Sequence, residues 1–185
     1  DREIKYFLNN ICTWDWHIQQ DTKYDTSKAA DSLIKKYPNY KIPIEAFYGR
    51  FLEMIDGIYE ENLKIALNLK KKGKKIYILS NFPGDQFDNF MKENKFLNEF
   101  DDMIISGKVG LKKPDKKIYE LAIKKFDCNP SKTLFIDDRP ENTEAAQNLG
   151  INIITLDDPI KLKDYIKNFI WDLSYNQYQT QLHYF

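Results

Sequence analysis

The sequence has little cysteine, and its apolar residues never run long enough to cross a bilayer. Cys12 and Cys128 are its two cysteines; they lie far apart and form no Cys-x-x-Cys pair, which argues against a disulfide framework and against a zinc site. No run of about 18 apolar residues occurs, and the N-terminus lacks the basic and then apolar stretch of a signal peptide. These absences predict a cytoplasmic protein.

The sequence also lacks an excess of charge of either sign. It contains 28 basic and 28 acidic residues, a formal net charge of zero, so no global field would draw the chain to nucleic acid or to an anionic membrane. Apolar residues make up 42% of the chain, which is enough for a sizeable core. The length of 185 residues fits one domain, or one core with a small accessory lobe.

Helical periodicity dominates the chain before Gly73. Apolar residues recur at intervals of three and four near residues 4–11 and 33–37, and segments 43–56 and 59–72 each keep an apolar stripe. No segment here indicates a strand. We expect four or five helices, with an N-terminal helical domain over residues 1–58.

Short apolar runs alternate with helical stretches after Gly73. Strands that are apolar on both faces and are separated by helices indicate a parallel sheet covered on both sides. The predicted fold class is therefore α/β, a Rossmann-like doubly wound parallel sheet over residues 59–168. Residues 169–185 are expected to form a C-terminal tail. The apolar runs are 76–79, 103–105, 133–136 and 151–155, and the helical stretches are 84–95, 115–126, 141–149 and 159–168.

Polar residues follow the apolar runs where the predicted strands end. Ser80 and Asn81 follow the first run, Asp137 and Asp138 follow the third, and Lys113 precedes the helix after the second. Since the carboxyl ends of parallel strands share one edge, where ligands bind, we expect these residues to converge. Adjacent carboxylates repel unless a cation neutralises them, and Mg²⁺ prefers oxygen ligands. A nearby hydroxyl and lysine can hold phosphoryl oxygens.

Each of these residues also has a structural interpretation. Ser80 would cap the helix that follows it, and Lys113 would be a surface lysine beside Lys112. The aspartate pair would cap the helix that begins near Pro140, although a cap accounts for one aspartate better than for two. The combined set favours a magnesium and phosphate site.

Three segments, in this order, resemble the second, third and fourth motifs of the haloacid dehalogenase-like hydrolases. The segments are ILSN (78–81), GLKKPD (110–115) and FIDDRPEN (135–142). The similarity covers roughly residues 1–168, and the helical part at 1–58 resembles the helical cap that this family inserts after its first strand.

The resemblance implies a magnesium-dependent phosphatase for a small phosphorylated metabolite. In the family, an aspartate at the end of the first strand attacks phosphorus, and water cleaves the resulting aspartyl-phosphate. The implied catalytic residues are Ser80, Lys113 and Asp138; the phosphate would be bound by Ser80, Asn81 and Lys113, the metal by Asp137 and Asp138, and Asn142 would act as a positioning group.

The sequence departs from the family at the nucleophile. The family's first motif, a hydrophobic strand ending in Asp-x-Asp or Asp-Leu-Gly, does not precede the other motifs, and residues 1–20 already have helical periodicity. In the family fold that strand is central, between the strands that carry Ser80 and Asp137. An empty place would leave several backbone groups unpaired at about 1–3 kcal/mol each, against a total stability of about 5–15 kcal/mol. We therefore expect a strand to fill it.

Three sources of that strand remain open. The natural protein extends upstream and carries the strand there; or a partner chain or a second copy donates a strand; or the internal run 169–173 enters the sheet in a circularly permuted arrangement, which would make Asp172 the nucleophile.

Two other functions also remain open. A catalytically inactive member of the family would bind phosphate or metal as a scaffold without turnover. A haloacid dehalogenase would cleave a carbon–halogen bond without a metal, and Asp137 and Asp138 would then have no role as a pair.

Overall fold

The structure, a computed structural model, describes the backbone of residues 2–173 and 181–184 and the side chains of residues 2–167. The chain divides into two compact units. The helical unit comprises Asp1–Asp56, Asn81–Lys95 and Ile105–Lys112, and the sheet unit comprises Gly57–Ser80, Phe96–Ile104 and Lys113–Phe185. The helical unit thus includes two segments beyond the range 1–58 predicted from the sequence.

Helices and strands alternate along the second part of the described chain, as the apolar pattern predicts. None of the described helices is both long and apolar enough to cross a membrane. The helices are α1 (Arg2–Asn10), α2 (Trp14–Ile18), α3 (Ser27–Lys36), α4 (Lys41–Gly49), α5 (Glu60–Lys71), α6 (Gly84–Glu93), α7 (Ser106–Val109), α8 (Lys116–Lys125), α9 (Pro140–Gln147) and α10 (Leu162–Leu173). The strands are β1 (Lys75–Ser80), β2 (Asp102–Ile105), β3 (Thr133–Asp137), β4 (Asn152–Thr155) and β5 (Gln181–Tyr184).

The core of the helical unit is built from α1, α3 and α4. Its buried residues include Ile11, Leu33 and Ile44, and partly buried aromatic side chains such as Phe7 and Trp16 pack against them. The segment predicted as one helix over 43–56 is divided: α4 ends at Gly49, and a 3-10 turn occupies Phe51–Met54. Glycine favours such a stop, because it lowers helix propensity.

Ser106 and Gly107 hold three loops of the helical unit together. The buried Ser106 hydroxyl donates to the carbonyl of Asp21 and accepts the N–H of Phe82 at 2.8 Å. The backbone approaches Gly107 so closely that an added Cβ would lie 2.3 Å from the amide nitrogen of Gly84 and 2.5 Å from the carbonyl oxygen of Lys23. No side chain fits at position 107.

The sheet unit contains a sheet of five described strands in the order β2-β1-β5-β3-β4. Pairing is parallel between β1 and β5, between β5 and β3, and between β3 and β4. All residues of β3 and all but the first of β1 are buried, as expected of strands covered on both faces. The prediction of an α/β fold with a parallel sheet is confirmed.

The central strand of this sheet comes from the last described residues of the chain. The alternative in which the run 169–173 enters the sheet is wrong, because this run is the end of α10, and Asp172 therefore lies on a helix. The apolar spacing that begins at Leu162 and Ile166 continues through the run, which favours helix. The predicted tail is thus helical up to Leu173 and forms β5 at Gln181–Tyr184, while residues 174–180 lie outside the described part.

The register of β5 leaves the carboxyl ends of its neighbours extending beyond it. Tyr184 is level with Ile78 of β1, and His183 is level with Phe135 of β3. Ser80 and Asp137, which end β1 and β3, therefore lie past the described part of β5. The two polar strand ends flank the same position at one edge of the sheet.

We expect Gly107→Ala to lower the free energy of unfolding by about 1–3 kcal/mol, because the added methyl group displaces backbone that packs closely. Urea unfolding followed by circular dichroism measures the loss. Gly49→Ala is the matched control, since nothing lies within 4 Å of its built Cβ, and alanine at the end of α4 should leave stability unchanged or raise it. Equal unfolding midpoints for the two variants would contradict the close approach at Gly107.

Candidate functional site

A buried ion pair connects the carboxyl ends of β1 and β3. The ammonium of Lys113 donates to Asp137 Oδ2 at 2.6 Å and to the carbonyl oxygen of Leu79 at 2.8 Å. The side chains of Lys113 and Asp137 are only 3% and 2% exposed, so the interpretation of Lys113 as a surface lysine is wrong. The ring of Phe135 lies 5.5 Å from the ammonium and adds a cation–π contact.

Burial lowers the pKa of the Lys113 ammonium, and the carboxylate of Asp137 opposes this shift. Two charges removed from water remain stable only if good geometry and further hydrogen bonds compensate them. The short contact with Asp137 and the carbonyl of Leu79 provide that compensation. The pair therefore places a positive charge in a protected position at the edge of the sheet.

The second oxygen of Asp137 is also fully engaged. Oδ1 accepts the backbone N–H of Arg139 at 3.0 Å and the side-chain amide of Asn142 at 2.8 Å. Both donors belong to the start of α9, but the N-cap residue of this helix is Arg139 and no side chain caps it. The interpretation of the aspartate pair as a helix cap is therefore wrong. Asp137 thus binds Lys113 through one oxygen and the residues that begin α9 through the other.

Tyr119 is a contributor that the sequence did not single out. Its hydroxyl donates to the carbonyl oxygen of Asn142 at 2.8 Å, and burial raises its pKa above the ordinary tyrosine value. Asn142 is itself 2% exposed. Tyr119 thus supports the first turn of α9 from α8. It follows the GLKKPD segment by four residues, and this proximity is the signal that could have identified it.

Asp138 has a different environment from its neighbour. It is exposed, and it makes no hydrogen bond or ion pair with another residue in the described part of the chain. Its negative charge acts to raise the pKa of Lys113. Successive side chains at a strand end point in opposite directions, so one aspartate is held inside the protein while the other remains available to a cation.

Ser80 is buried, with 6% of its surface exposed, and its hydroxyl has no hydrogen-bond partner among the described residues. The interpretation of Ser80 as a helix cap is wrong, because α6 begins after Pro83 and no side chain caps it. A buried hydroxyl without a partner costs about 1–3 kcal/mol. Its position, one residue beyond the Leu79 carbonyl that binds Lys113, suits a ligand at the edge of the sheet.

Two further residues, Asn81 and Asp172, were predicted for the site. Asn81 is half-buried and belongs to the helical unit, and Asp172 lies on α10. A cavity of about 380 Å³ is lined only by residues of the helical unit, chiefly Tyr48–Glu53 and polar residues of α6. None of the predicted site residues lines it.

The carboxylates at the edge fit a magnesium ion in part. Among the residues whose side chains are described, no three histidine, cysteine, aspartate or glutamate residues are placed to hold a metal together. Asp137 and Asp138 supply oxygen donors, and magnesium often binds through one or two carboxylates while water and phosphate oxygens complete its coordination. A metal at these two carboxylates would need water or phosphate oxygens to complete its coordination.

Residues 14–156 match the family model of the haloacid dehalogenase-like hydrolases. The chain is 33% identical over 92 residues to a sesquiterpene phosphatase of Aspergillus oryzae, with 50% of this chain and 47% of that protein covered. It is 27% identical over 90 residues to a glyceraldehyde 3-phosphate phosphatase of Methanothermobacter thermautotrophicus, with 48% and 39% covered. The chain spans less than half the length of these relatives.

Solved structures share the fold. A HAD family enzyme of Bacteroides thetaiotaomicron, an aspartate-to-alanine mutant in complex with magnesium and inorganic phosphate, has a TM-score of 0.68 and 24% identity, with 84% of this chain and 86% of that chain covered. A HAD-like family hydrolase of Porphyromonas gingivalis has a TM-score of 0.65 and 23% identity, with 83% and 82% covered. At these identities the likeness shows the fold alone.

We expect Lys113→Met and Asp137→Asn each to lower the free energy of unfolding by about 3–5 kcal/mol, because each leaves its buried partner uncompensated. The double variant should lose less than the sum of the two. Urea unfolding of the wild type and the three variants measures this coupling.

The control for this cycle is the ion pair of Lys116 and Glu120 on α8. Its side chains are 68% and 50% exposed, so Lys116→Met and Glu120→Gln should show a coupling of only about 0.3–0.5 kcal/mol. Additive losses at Lys113 and Asp137 would mean that the buried pair does not stabilise the fold as a unit.

Proposed function

Since the chain belongs to the haloacid dehalogenase-like hydrolase family, we propose that it carries the phosphate and magnesium site of a phosphatase that acts on a small phosphorylated metabolite. The proposed catalytic residues are Ser80, Lys113 and Asp138. The proposal is supported by the group that meets at the ends of β1 and β3, which combines a hydroxyl, a buried cation and two carboxylates.

The unpartnered hydroxyl of Ser80 is the observation that carries this proposal. A phosphoryl oxygen bound there would accept the hydroxyl proton in a hydrogen bond and remove the cost of burying the group without a partner. Asn81, the next residue in the chain, is proposed to contribute to phosphate binding as well.

Lys113 is proposed to stabilise the negative charge of the phosphate. Its ammonium is fixed by Asp137 and Leu79, so little rearrangement is needed when a ligand arrives. In a site shielded from water, a fixed charge acts more strongly on a bound phosphoryl group than it would in solvent.

Asp138 is proposed to bind magnesium, with Asp137 as the second carboxylate, directly or through water. When bound, the metal would neutralise phosphoryl charge and polarise the phosphorus–oxygen bonds. Asp138 is exposed and is not paired with another described residue. The presence of magnesium and phosphate in the B. thetaiotaomicron structure supports this assignment by analogy.

The described central strand does not supply the nucleophile that the family resemblance implies. The resemblance assigns it to an aspartate at the end of the central strand, whereas the described central strand, β5, has the sequence QLHY and contains no carboxylate. This observation favours one second candidate function, in which the site binds phosphate and magnesium without turning a substrate over.

The N-terminal helical part of the chain, residues 1–58, is proposed to act as the cap that selects the substrate. The domain division predicted from the sequence, with a cap over residues 1–58 and a core over 59–168, is retained within this proposal. Phosphatases of two different small molecules are among the relatives. The proposed site therefore recognises the phosphoryl group that such substrates share.

We expect Ser80→Ala to weaken the binding of inorganic phosphate about 10- to 100-fold in the presence of magnesium, since a hydrogen bond to a charged group contributes about 1.5–3 kcal/mol. Isothermal titration calorimetry measures the affinity. The same substitution should not lower stability without phosphate, because the hydroxyl has no partner among the described residues.

Ser32→Ala is the matched control for this experiment. Ser32 is an exposed serine of α3 whose hydroxyl donates to the carbonyl of Lys28, and its loss should leave phosphate affinity unchanged. Equal phosphate affinity of Ser80→Ala and the wild type would remove Ser80 from the proposed site.

Turnover of p-nitrophenyl phosphate separates the two candidate functions. A phosphatase should show magnesium-dependent turnover that Asp138→Asn lowers at least about tenfold, while Asp31→Asn, at an exposed position of α3, leaves it unchanged. Phosphate binding without any turnover would support the binding function and exclude hydrolysis by this chain.

A further inference from the structure

We propose that the cavity of about 380 Å³ in the helical unit is a binding site for a small zwitterion, a molecule that carries one ammonium group and one carboxylate. The cavity is lined by the end of α4, the turn that follows it and polar residues of α6. Its volume lies within the range of about 300–1,000 Å³ that is usual for small-molecule pockets. It shares no residue with the proposed phosphatase site, and the proposal does not depend on that function.

The amide of Gln86 has a defined orientation at this cavity. Gln86 is 7% exposed, and its side-chain nitrogen lies 3.0 Å from Thr26 Oγ1 and 3.4 Å from Asp85 Oδ2. The hydroxyl of Thr26 already donates to Asp85 at 2.7 Å, so both groups can only accept from Gln86. The amide nitrogen therefore faces these two acceptors, and the amide oxygen is turned the other way.

The amide oxygen of Gln86 is left without a donor by the described part of the protein. Gln86 Oε1 accepts no hydrogen bond from any described residue. An acceptor that is buried without a partner destabilises the protein. Because Gln86 lines the cavity, a ligand with an N–H group can supply the missing donor.

The charged side chains around the cavity suit a ligand that carries both signs. The side chain of Glu93 is exposed and makes no ion pair or hydrogen bond with another described residue, so its carboxylate is available to an ammonium group. Lys92 donates to Asn89 at 3.1 Å, and Arg50 is paired with Glu53. An ammonium group has three donors, so Lys92 retains two for the carboxylate of a ligand.

Two helix ends also favour the ammonium group of the ligand. α4 ends at Gly49 and α6 ends at Glu93, and both residues line the cavity. The carbonyl groups at the C-terminus of a helix carry a partial negative charge. Tyr48 and Phe51 line the cavity as well, and the faces of aromatic rings attract cations.

Three probes with four-carbon chains test this assignment. γ-Aminobutyrate is the zwitterion, putrescine carries two ammonium groups, and succinate carries two carboxylates. We expect γ-aminobutyrate to bind the full chain with a Kd of about 1 mM or lower, putrescine to bind at least about tenfold more weakly, and succinate to show no binding up to about 50 mM. An NMR titration with each probe measures these affinities.

Two substitutions test the residues that carry the proposal. Gln86→Met removes the buried acceptor at similar volume and should weaken γ-aminobutyrate binding at least about tenfold. Glu93→Gln removes the charge of an exposed side chain and should weaken it about fivefold. Because Glu93 is exposed, its variant keeps the test decisive if Gln86→Met fails to fold.

Glu99→Gln is the matched control, since Glu99 is an exposed glutamate of the sheet unit, and it should leave the affinity unchanged. Absence of γ-aminobutyrate binding up to about 50 mM, or equal binding of putrescine or succinate, would overturn the proposal. Wild-type affinity in Glu93→Gln or in a folded Gln86→Met would overturn it as well. So would an equal loss of affinity in Glu93→Gln and Glu99→Gln, because binding would then follow net charge and not the cavity.

Discussion

The buried ion pair between Lys113 and Asp137 is the interaction on which the edge of the sheet depends. Lys113 binds both the carboxylate that ends β3 and a carbonyl of β1, so one ammonium connects two strands that β5 separates. Such a pair is rarely a net source of stability, because the cost of removing both charges from water offsets their attraction. Its contribution is to hold a positive charge and two strand ends in a defined arrangement.

The arrangement of Asp137 explains how two adjacent aspartates can serve different purposes. Asp137 accepts from Lys113, Arg139 and Asn142, which fixes both of its oxygens. Asp138 is exposed and unpaired among the described residues. One aspartate is therefore fixed inside the protein while its neighbour is exposed, because side chains alternate in direction along an extended strand.

The central strand imposes a second constraint on the molecule. A parallel sheet with buried strands needs a paired strand between β1 and β3, and the described chain provides one from residues 181–184. That strand satisfies the backbone but brings no carboxylate to the edge. The requirement of the fold is thus met at this position by backbone pairing, whereas the aspartate that the family resemblance assigns to the central strand is not supplied by β5.

Much of the fold and of the site was predictable from local pattern. The apolar runs located β1 to β4, because strands buried on both faces leave a distinct signature, and the parallel order then placed Ser80, Lys113 and Asp137 at one edge. The division of labour between Asp137 and Asp138, and the support of Asn142 by Tyr119, required side-chain geometry that spacing does not encode.

The sequence by itself determined that the chain forms an α/β sheet and which residues meet at its edge. Short apolar runs separated by helical stretches are local patterns, and they indicate buried parallel strands whose carboxyl ends share one edge. Only the tertiary structure decided which segment occupies the centre. Residues 169–173 are apolar and were the better strand candidate by composition, yet they extend α10, and the more polar β5 pairs with β1 and β3. β5 is held at the centre by backbone hydrogen bonds to segments distant in sequence, and such pairing leaves no periodic pattern in the sequence.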